Sequence, residues 1–121
     1  MHPVMNDTKW DELRIAMYEL GSLSPQWRTL DVENAHLSSW DGEWFHHFRA
    51  GGYRTIQWLE VATSSEVQRQ AALLNLSKIH VPGEAMDSGF RVFGYIEDGQ
   101  AVDYLRFSNT SLDPAASRRS A

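Results

Sequence analysis

Apolar residues recur at intervals of three and four near the N-terminus, and this spacing predicts a helix over residues 7–20. The residues that would share its apolar face are Trp10, Leu13, Ala16, Met17 and Leu20. Residues 6–8 offer side chains that can cap the start of this helix, and Gly21 can end it in a left-handed turn. A second helix is predicted over residues 66–79, directly after three capping candidates at residues 63–65.

Alternation of apolar and polar residues predicts strands in the rest of the chain. Their ranges are residues 27–32, 43–49, 53–61, 90–97 and 102–107. Ala50, Gly51 and Gly52 would join the second and third of these as a hairpin, because glycine permits positive φ. Residues 80–89 are rich in turn-forming residues and are predicted to form a loop. Short connections favour antiparallel pairing, so we expect an α+β fold, with a single antiparallel sheet of about 4–5 strands and two helices packed on one face.

The length and the composition bound the organisation of the chain. A length of 121 residues fits one domain, which we place at residues 5–107, and residues 108–121 are predicted to form a disordered tail. The absence of cysteine excludes disulfides, thiolate zinc sites, iron–sulfur clusters and cysteine nucleophiles, and it fits a reducing compartment. No apolar run approaches the roughly 18 residues of a membrane span, and the N-terminus lacks the pattern of a signal peptide. We therefore expect a cytoplasmic protein without membrane association.

The acidic charge limits the classes of partner. The net charge is −5, and residues 1–107 carry nine basic and fifteen acidic side chains, a net charge of −6. Such a domain repels phosphate backbones at long range, so nucleic-acid binding is not expected. A basic protein partner or a small ligand is compatible with this charge.

The predicted hairpin contains the candidate chemistry of the chain. If Gly51-Gly52 forms a two-residue turn, Glu43 faces Glu60 and His47 lies on the same face, an arrangement that general acid–base catalysis exploits. If the loop has three residues, Trp44 pairs with Trp58 and the two glutamates separate. The second register is favoured, because a ring contact is worth about 0.5–1.5 kcal/mol and facing like charges destabilise a hairpin. Solvated strand ends are therefore the favoured interpretation of the glutamates. The catalytic candidates are Glu43, His47 and Glu60.

The adjacent histidines do not form a convincing metal site. Neighbouring side chains of a strand point to opposite faces, so His46 and His47 could not hold one ion together unless the strand breaks there. We predict no metal site and no cofactor.

The five tryptophans suggest two different roles. Trp10 and Trp58 fit core positions, whereas Trp27, Trp40 and Trp44 lie at or near predicted loops, where each could be partly exposed. Exposed tryptophan beside arginine is typical of binding hot spots. The candidate binding residues are Trp40, Trp44, Trp58, Arg49 and Arg54. The alternative is that these rings close the edge of a small core, and this structural interpretation is the more common one.

Four segments of the chain resemble a bacterial domain family of unknown function. They are M-N-D-T-K-W-D-E-L-R at residues 5–14, W-D-G-E-W-F-H-H-F at residues 40–48, I-Q-W-L-E at residues 56–60 and I-H-V-P-G-E at residues 79–84. The resemblance spans roughly residues 5–105, nearly the whole of the predicted domain. The resemblance implies a stand-alone bacterial cytoplasmic domain, and it carries no activity, cofactor or catalytic residue that could be transferred to this chain.

Three hypotheses of function follow, and the last is a structural or regulatory domain whose tail, residues 108–121, carries the contact with a partner. The first is a protein-interaction module, inhibitor or immunity-like, that binds a partner protein through exposed aromatic residues, with a basic partner favoured. The alternative is a small-molecule-binding protein or an enzyme that uses the hairpin face with Glu43, His47 and Glu60. The sequence leaves enzymatic activity undecided and leans against it. An exposed strand edge would also permit a homodimer by extension of the sheet.

Overall fold

The computed structural model describes residues 1–107, so the tail predicted at residues 108–121 lies outside the described residues. The helices are α1 (Asp7–Tyr18) and α2 (Glu66–Ile79), with a short 3-10 helix at Gly21–Leu23. The strands are β1 (His2–Pro3), β2 (Gln26–Asp31), β3 (Ile56–Ala62), β4 (Gly83–Met86), β5 (Gly89–Phe93) and β6 (Tyr95–Ile96).

Both predicted helices are confirmed, and each begins at a side-chain cap. Asn6 Oδ1 accepts a hydrogen bond from the backbone N–H of Lys9 at 2.8 Å, and Ser65 Oγ accepts one from the backbone N–H of Gln68 at 3.1 Å. α1 ends at Tyr18 with Glu19 as its C-cap, earlier than predicted, so Gly21, at a positive φ of 60°, does not stop this helix and instead begins the 3-10 helix. No helix within residues 1–107 is long and apolar enough to cross a membrane.

The described strands form two antiparallel sheets rather than one. The larger sheet has the order β2-β3-β5-β4, and β1 pairs with β6 in a separate two-stranded sheet. The predicted α+β class is confirmed, but the prediction of a single sheet is wrong. The strand predicted at residues 90–97 is interrupted at Gly94, where a side chain would collide with the backbone carbonyl of Ile56. Because the chain turns at this close approach, β6 leaves β5 and pairs with β1.

The helices cover one face of the four-stranded sheet. The sheet residues buried against them are Leu59 and Val61 of β3 and Phe90 and Val92 of β5. They share one core cluster with the helix residues Leu13, Met17, Ala72 and Leu76. Because side chains alternate along a strand, the intervening residues of β3 and β5 point to the opposite face of the sheet.

The predicted hairpin of residues 43–49 and 53–61 is wrong. Residues 44–50 form consecutive turns, and β3 pairs with β2 and β5 instead. Trp44 and Phe48 are both buried, and their spacing of four residues places both on one side of a helical turn. Glu43 accepts hydrogen bonds from the backbone N–H groups of His46 and His47, as the cap of a helix would. The segment therefore buries one side of a turn rather than one face of a strand.

The β-structure near the end of the domain also differs from the prediction. The loop predicted at residues 80–89 contains β4, which pairs with β5. The strand predicted at residues 102–107 is reduced to an isolated bridge between Tyr104 and Pro82. Since β4 already lies beside β5, residues 102–107 reach only the start of β4, where the N–H of Gly83 donates to the carbonyl of Asp103 at 2.9 Å.

Candidate functional site

The face of the four-stranded sheet that points away from the helices is the candidate functional site, and we call it the open face. Residues directly opposite one another in a ladder share a face. The strand residues of the open face are Gln26, Arg28, Leu30, Trp58, Glu60, Ala62, Glu84, Met86, Gly89, Arg91 and Phe93. Residues 37–41 run beside β2 and add Leu37 and Trp40, which are 45% and 42% exposed.

A row of alternating charges crosses the open face. The register places Arg28 opposite Glu60, Glu60 opposite Arg91, and Arg91 opposite Glu84. Arg28 Nε donates to Glu60 Oε1 at 2.8 Å, while Arg91 donates from Nη2 and Nε to Glu60 Oε2 at 2.5 and 3.1 Å. Arg91 Nη1 lies 3.7 Å from Glu84 Oε2. Opposite charges therefore meet at each of the three strand pairs.

Glu60 is the buried centre of this row, with a relative exposure of 4%. Burial raises the pKa of Glu60, but the hydrogen bonds and charges of Arg91 and Arg28 lower it by more, so its pKa lies below the ordinary value. Both carboxylate oxygens accept hydrogen bonds from guanidinium groups. Glu60 is therefore ionised at neutral pH and suited to hold two arginines rather than to transfer a proton.

Each arginine of the row also stacks on a tryptophan ring. The Arg28 guanidinium lies 4.5 Å from the centroid of Trp40, and the Arg91 guanidinium lies 4.5 Å from the centroid of Trp58. Such cation–π contacts add about 0.5–1 kcal/mol at exposed sites. The two arginine side chains remain 30% and 28% exposed. The open face thus presents two ordered guanidinium groups to the solvent.

An apolar row runs beside the charged row. Leu37 forms an isolated antiparallel β-bridge with Leu30. In the sheet, Leu30 is opposite Trp58, and Trp58 is opposite Phe93. Leu30, Trp58 and Phe93 are each partly exposed. A sheet face that combines apolar contact area with fixed polar groups has the composition of a binding surface.

The catalytic candidates from the sequence do not come together. Glu60 lies on β3, while Glu43 and His47 lie on the other side of β2, since Trp27 of β2 is opposite Val61 on one side and Asp41 on the other. The pairing of Glu43 with Glu60 and that of Trp44 with Trp58 are both absent from the register. A catalytic role of these residues stays a prediction, but it would have to use Glu60 separately from the other two.

His47 forms its own ion pair near the turn segment. Its Nδ1 lies 2.8 Å from Asp41 Oδ2, and this hydrogen bond raises the pKa of His47 above its ordinary value. His47 is 62% exposed at its side chain, so the ion pair is open to solvent. Within residues 1–107, the histidines and carboxylates form no group of three or more that could hold a metal ion.

The predicted binding residues separate into two sets. Trp40 and Trp58 lie on the open face, Trp40 exposed as expected and Trp58 partly exposed although its pattern had indicated the core. Trp44 is 1% exposed and donates to the carbonyl of Pro25 at 2.8 Å, so the prediction that it is exposed is wrong. Arg49 and Arg54 are exposed, and Arg54 pairs with Glu33 at 3.0 Å.

Two residues of the site, Arg28 and Arg91, are absent from the sequence-based candidates. Each lies between two residues on the helix-facing side of the sheet, in the segments W-R-T and F-R-V, and Glu60 has the same setting in L-E-V. A lone charge inside an apolar strand indicates that an opposite charge lies on a neighbouring strand. A lone charge of this kind stands in all three strands, and it would have predicted ion pairs among Arg28, Glu60 and Arg91.

The comparisons with known proteins agree with the resemblance described above. The chain belongs to DUF6678, a family of unknown function, whose model matches residues 1–99. No curated protein and no solved structure matches the chain.

Proposed function

We propose that this chain is a protein-interaction module that binds its partner through the open face. The observation that carries the proposal is the pair of arginine–tryptophan stacks fixed by buried Glu60. Tryptophan and arginine are among the residues most enriched in binding hot spots. Their placement on a face without a covering helix, among residues 1–107, makes them accessible to another protein.

Order in these side chains lowers the cost of binding. Immobilising a flexible side chain at an interface costs about 0.5–1.5 kcal/mol, and arginine is among the most flexible. Arg28 and Arg91 are each held by a hydrogen bond to Glu60 and by a ring before any partner arrives. A partner would therefore meet a preorganised surface.

An inhibitor or immunity-like protein in the bacterial cytoplasm is the finer form of the proposal that we favour. The net charge of −6 over residues 1–107 would attract a basic target at long range. The arginines of the open face do not oppose this, because Glu60 and Glu84 offset their charge within the same row. The absence of cysteine fits a reducing compartment.

The alternative, a small-molecule-binding protein or an enzyme that uses Glu43, His47 and Glu60, has less support. The carboxylate of Glu60 is engaged by two arginines, and β2 separates it from Glu43.

Affinity capture with matched variants tests the proposal. The tagged full chain is incubated with a native lysate, and the captured proteins are identified by mass spectrometry at low and high salt. Trp40→Ala and Glu84→Arg alter exposed residues of the open face, while Tyr18→Ala removes a similarly exposed aromatic ring from α1. We expect a stoichiometric partner that is lost with both open-face variants and kept with Tyr18→Ala. A partner captured equally by all variants would refute the proposal, and so would the absence of any partner at either salt concentration in a chain that also does not self-associate.

A further inference from the structure

We propose that the open face binds a second copy of this chain, so that two sheets stack face to face. The two copies are related by a two-fold axis that lies midway between the stacked sheets, runs parallel to the strands, and passes over the space between β3 and β5. The inference rests on the proposed function, since it names the partner of the same surface. The evidence is the register of four strands, which makes the open face complementary to itself.

The charged row is self-complementary because its sign alternates over an even number of strands. Across β2, β3, β5 and β4 the order is Arg28, Glu60, Arg91 and Glu84. A two-fold axis between β3 and β5 reverses this order in the second copy. Arg28 then faces Glu84 of the second copy, while Arg91 lies over the position of its Glu60, which is 4% exposed and already held by two arginines of its own chain. The exposed pair of Arg28 with Glu84 therefore forms twice, once at each end of the row, because a closed two-fold interface repeats every contact.

The same operation brings aromatic residues of the two copies together. Trp58 and Phe93 are opposite one another in the ladder, so Trp58 would face Phe93 of the second copy. Ala62 and Gly89 are likewise opposite, so small residues would meet small ones. The aromatic pair therefore supplies the main apolar contact, and Ala62 and Gly89 add little contact area. Aromatic pairs of this kind contribute about 0.5–1.5 kcal/mol beyond their buried area.

The dimensions of the open face predict a weak dimer. Four strands about 4.8 Å apart give a row about 14 Å wide, and stacked sheets pack about 10 Å apart. The total area buried would be on the order of 1,000 Å², at the lower limit of specific interfaces. We therefore expect a dissociation constant in the micromolar range rather than a permanent dimer.

Pairing of strand edges, the other route to a homodimer, is restricted at both ends of the larger sheet. Residues 37–41 bridge β2 at Trp27 and Leu30, which covers its outer edge. At the other end, the N–H of Gly83 in β4 already donates to the carbonyl of Asp103. The open face thus offers a larger continuous surface to a second copy than either edge.

Sedimentation of the full chain tests the inference, at protein concentrations from about 1 µM to about 0.5 mM. We expect reversible monomer–dimer association, weakened at least tenfold by Glu84→Arg, because the introduced guanidinium would then face Arg28 of the second copy. Glu12→Arg is the control, since it changes the net charge equally at an exposed position of α1. A wild-type chain that stays monomeric throughout, or a dimer that Glu84→Arg and Glu12→Arg affect equally, would overturn the inference.

A gain of affinity provides an independent test that leaves the Glu60 ion pairs intact. Gln26 is opposite Ala62 and Met86 is opposite Gly89, so Gln26 would face Met86 of the second copy. The double variant Gln26→Glu and Met86→Lys would add two ion pairs to the dimer. We expect association at least threefold tighter for the double variant than for either single variant, and an unchanged affinity would contradict the geometry.

The two proposals fail separately. A monomeric chain that still captures a different protein, and loses it with Trp40→Ala, would overturn the second-copy inference and support the interaction module. A dimer that responds to Glu84→Arg as described supports the inference.

Discussion

Glu60 joins three strands through one carboxylate, and its replacement has a definite expected cost. In Glu60→Gln an amide replaces a buried carboxylate that accepts from Arg28 and Arg91, so an N–H donor faces a guanidinium donor. We expect the free energy of unfolding, measured in urea at neutral pH, to fall by about 1–3 kcal/mol. Glu84→Gln makes the same change at the exposed end of the row, and it should alter the free energy of unfolding by less than about 0.5 kcal/mol. Equal effects of the two substitutions would show that Glu60 contributes no more than a surface charge.

The stabilisation from Glu60 also has a predictable dependence on pH. Because the pKa of Glu60 is lowered in the folded chain from the ordinary value of 4.5, the unfolded chain binds a proton first as the pH falls. The contribution is complete above about pH 4.5 and is lost as the pH falls through the lowered pKa. We expect the difference in unfolding free energy between the wild-type chain and Glu60→Gln to shrink in acid. A urea series from neutral pH into acid measures it, and a constant difference would exclude ionisation as the cause.

Tyr53 provides a residue-scale prediction at alkaline pH. Its burial, followed by the 2.5 Å hydrogen bond that its hydroxyl donates to Asp11, raises the pKa of Tyr53 to about 12. Since the ordinary value is 10.0, the neutral hydroxyl stabilises the fold below about pH 10, and this contribution is lost as the pH rises towards 12. The tyrosinate absorbance difference between the wild-type chain and Tyr53→Phe should therefore develop near pH 12. A difference that develops near pH 10 would mean that this hydroxyl is open to solvent.

At the scale of elements, residues 44–50 hold the core together although they form no regular helix or strand. Trp44 is 1% exposed and donates to the carbonyl of Pro25, whereas Trp40 is 42% exposed. We expect Trp44→Ala to reduce the free energy of unfolding by about 3–5 kcal/mol through lost burial and a cavity. Trp40→Ala should cost no more than about 1 kcal/mol, the value of an exposed ring contact with Arg28. Denaturant unfolding of both variants decides this, and similar costs would contradict the assigned burial.

The same segment shows where the sequence pattern loses its power to predict. α1 and α2 were predictable because their caps, Asn6 and Ser65, and their apolar spacing all act within a few residues. Trp44 and Phe48 are four residues apart, which fits one face of a strand as well as one side of a helical turn. The adjacent glycines then favoured a hairpin, and only the capping of two N–H groups by Glu43 distinguishes the turn.

At the scale of the whole molecule, the open face depends on strand order, which local pattern does not contain. Trp40 and Trp58 could be selected by residue type, but Arg28, Glu60 and Arg91 become one unit only when β3 lies between β2 and β5. The pairing joins residues that are more than thirty positions apart in the chain. Alternation within a strand indicates which residues share a face, but Trp58 was assigned to the core and lies on the open face, and the neighbours across the sheet required the tertiary fold.

The sheet order also predicts how the molecule opens. β3 has a neighbour on both sides and a core-facing side chain, Leu59, that is 0% exposed, so its amides can exchange only when both ladders break. Residues 97–103 lie outside the described strands and are largely exposed. We expect hydrogen exchange to be slowest in β3, with a free energy of opening equal to that of global unfolding in urea, and fastest at residues 97–103. Slower exchange in α1 than in β3 would instead make helix packing, rather than the central strand, the last structure to open.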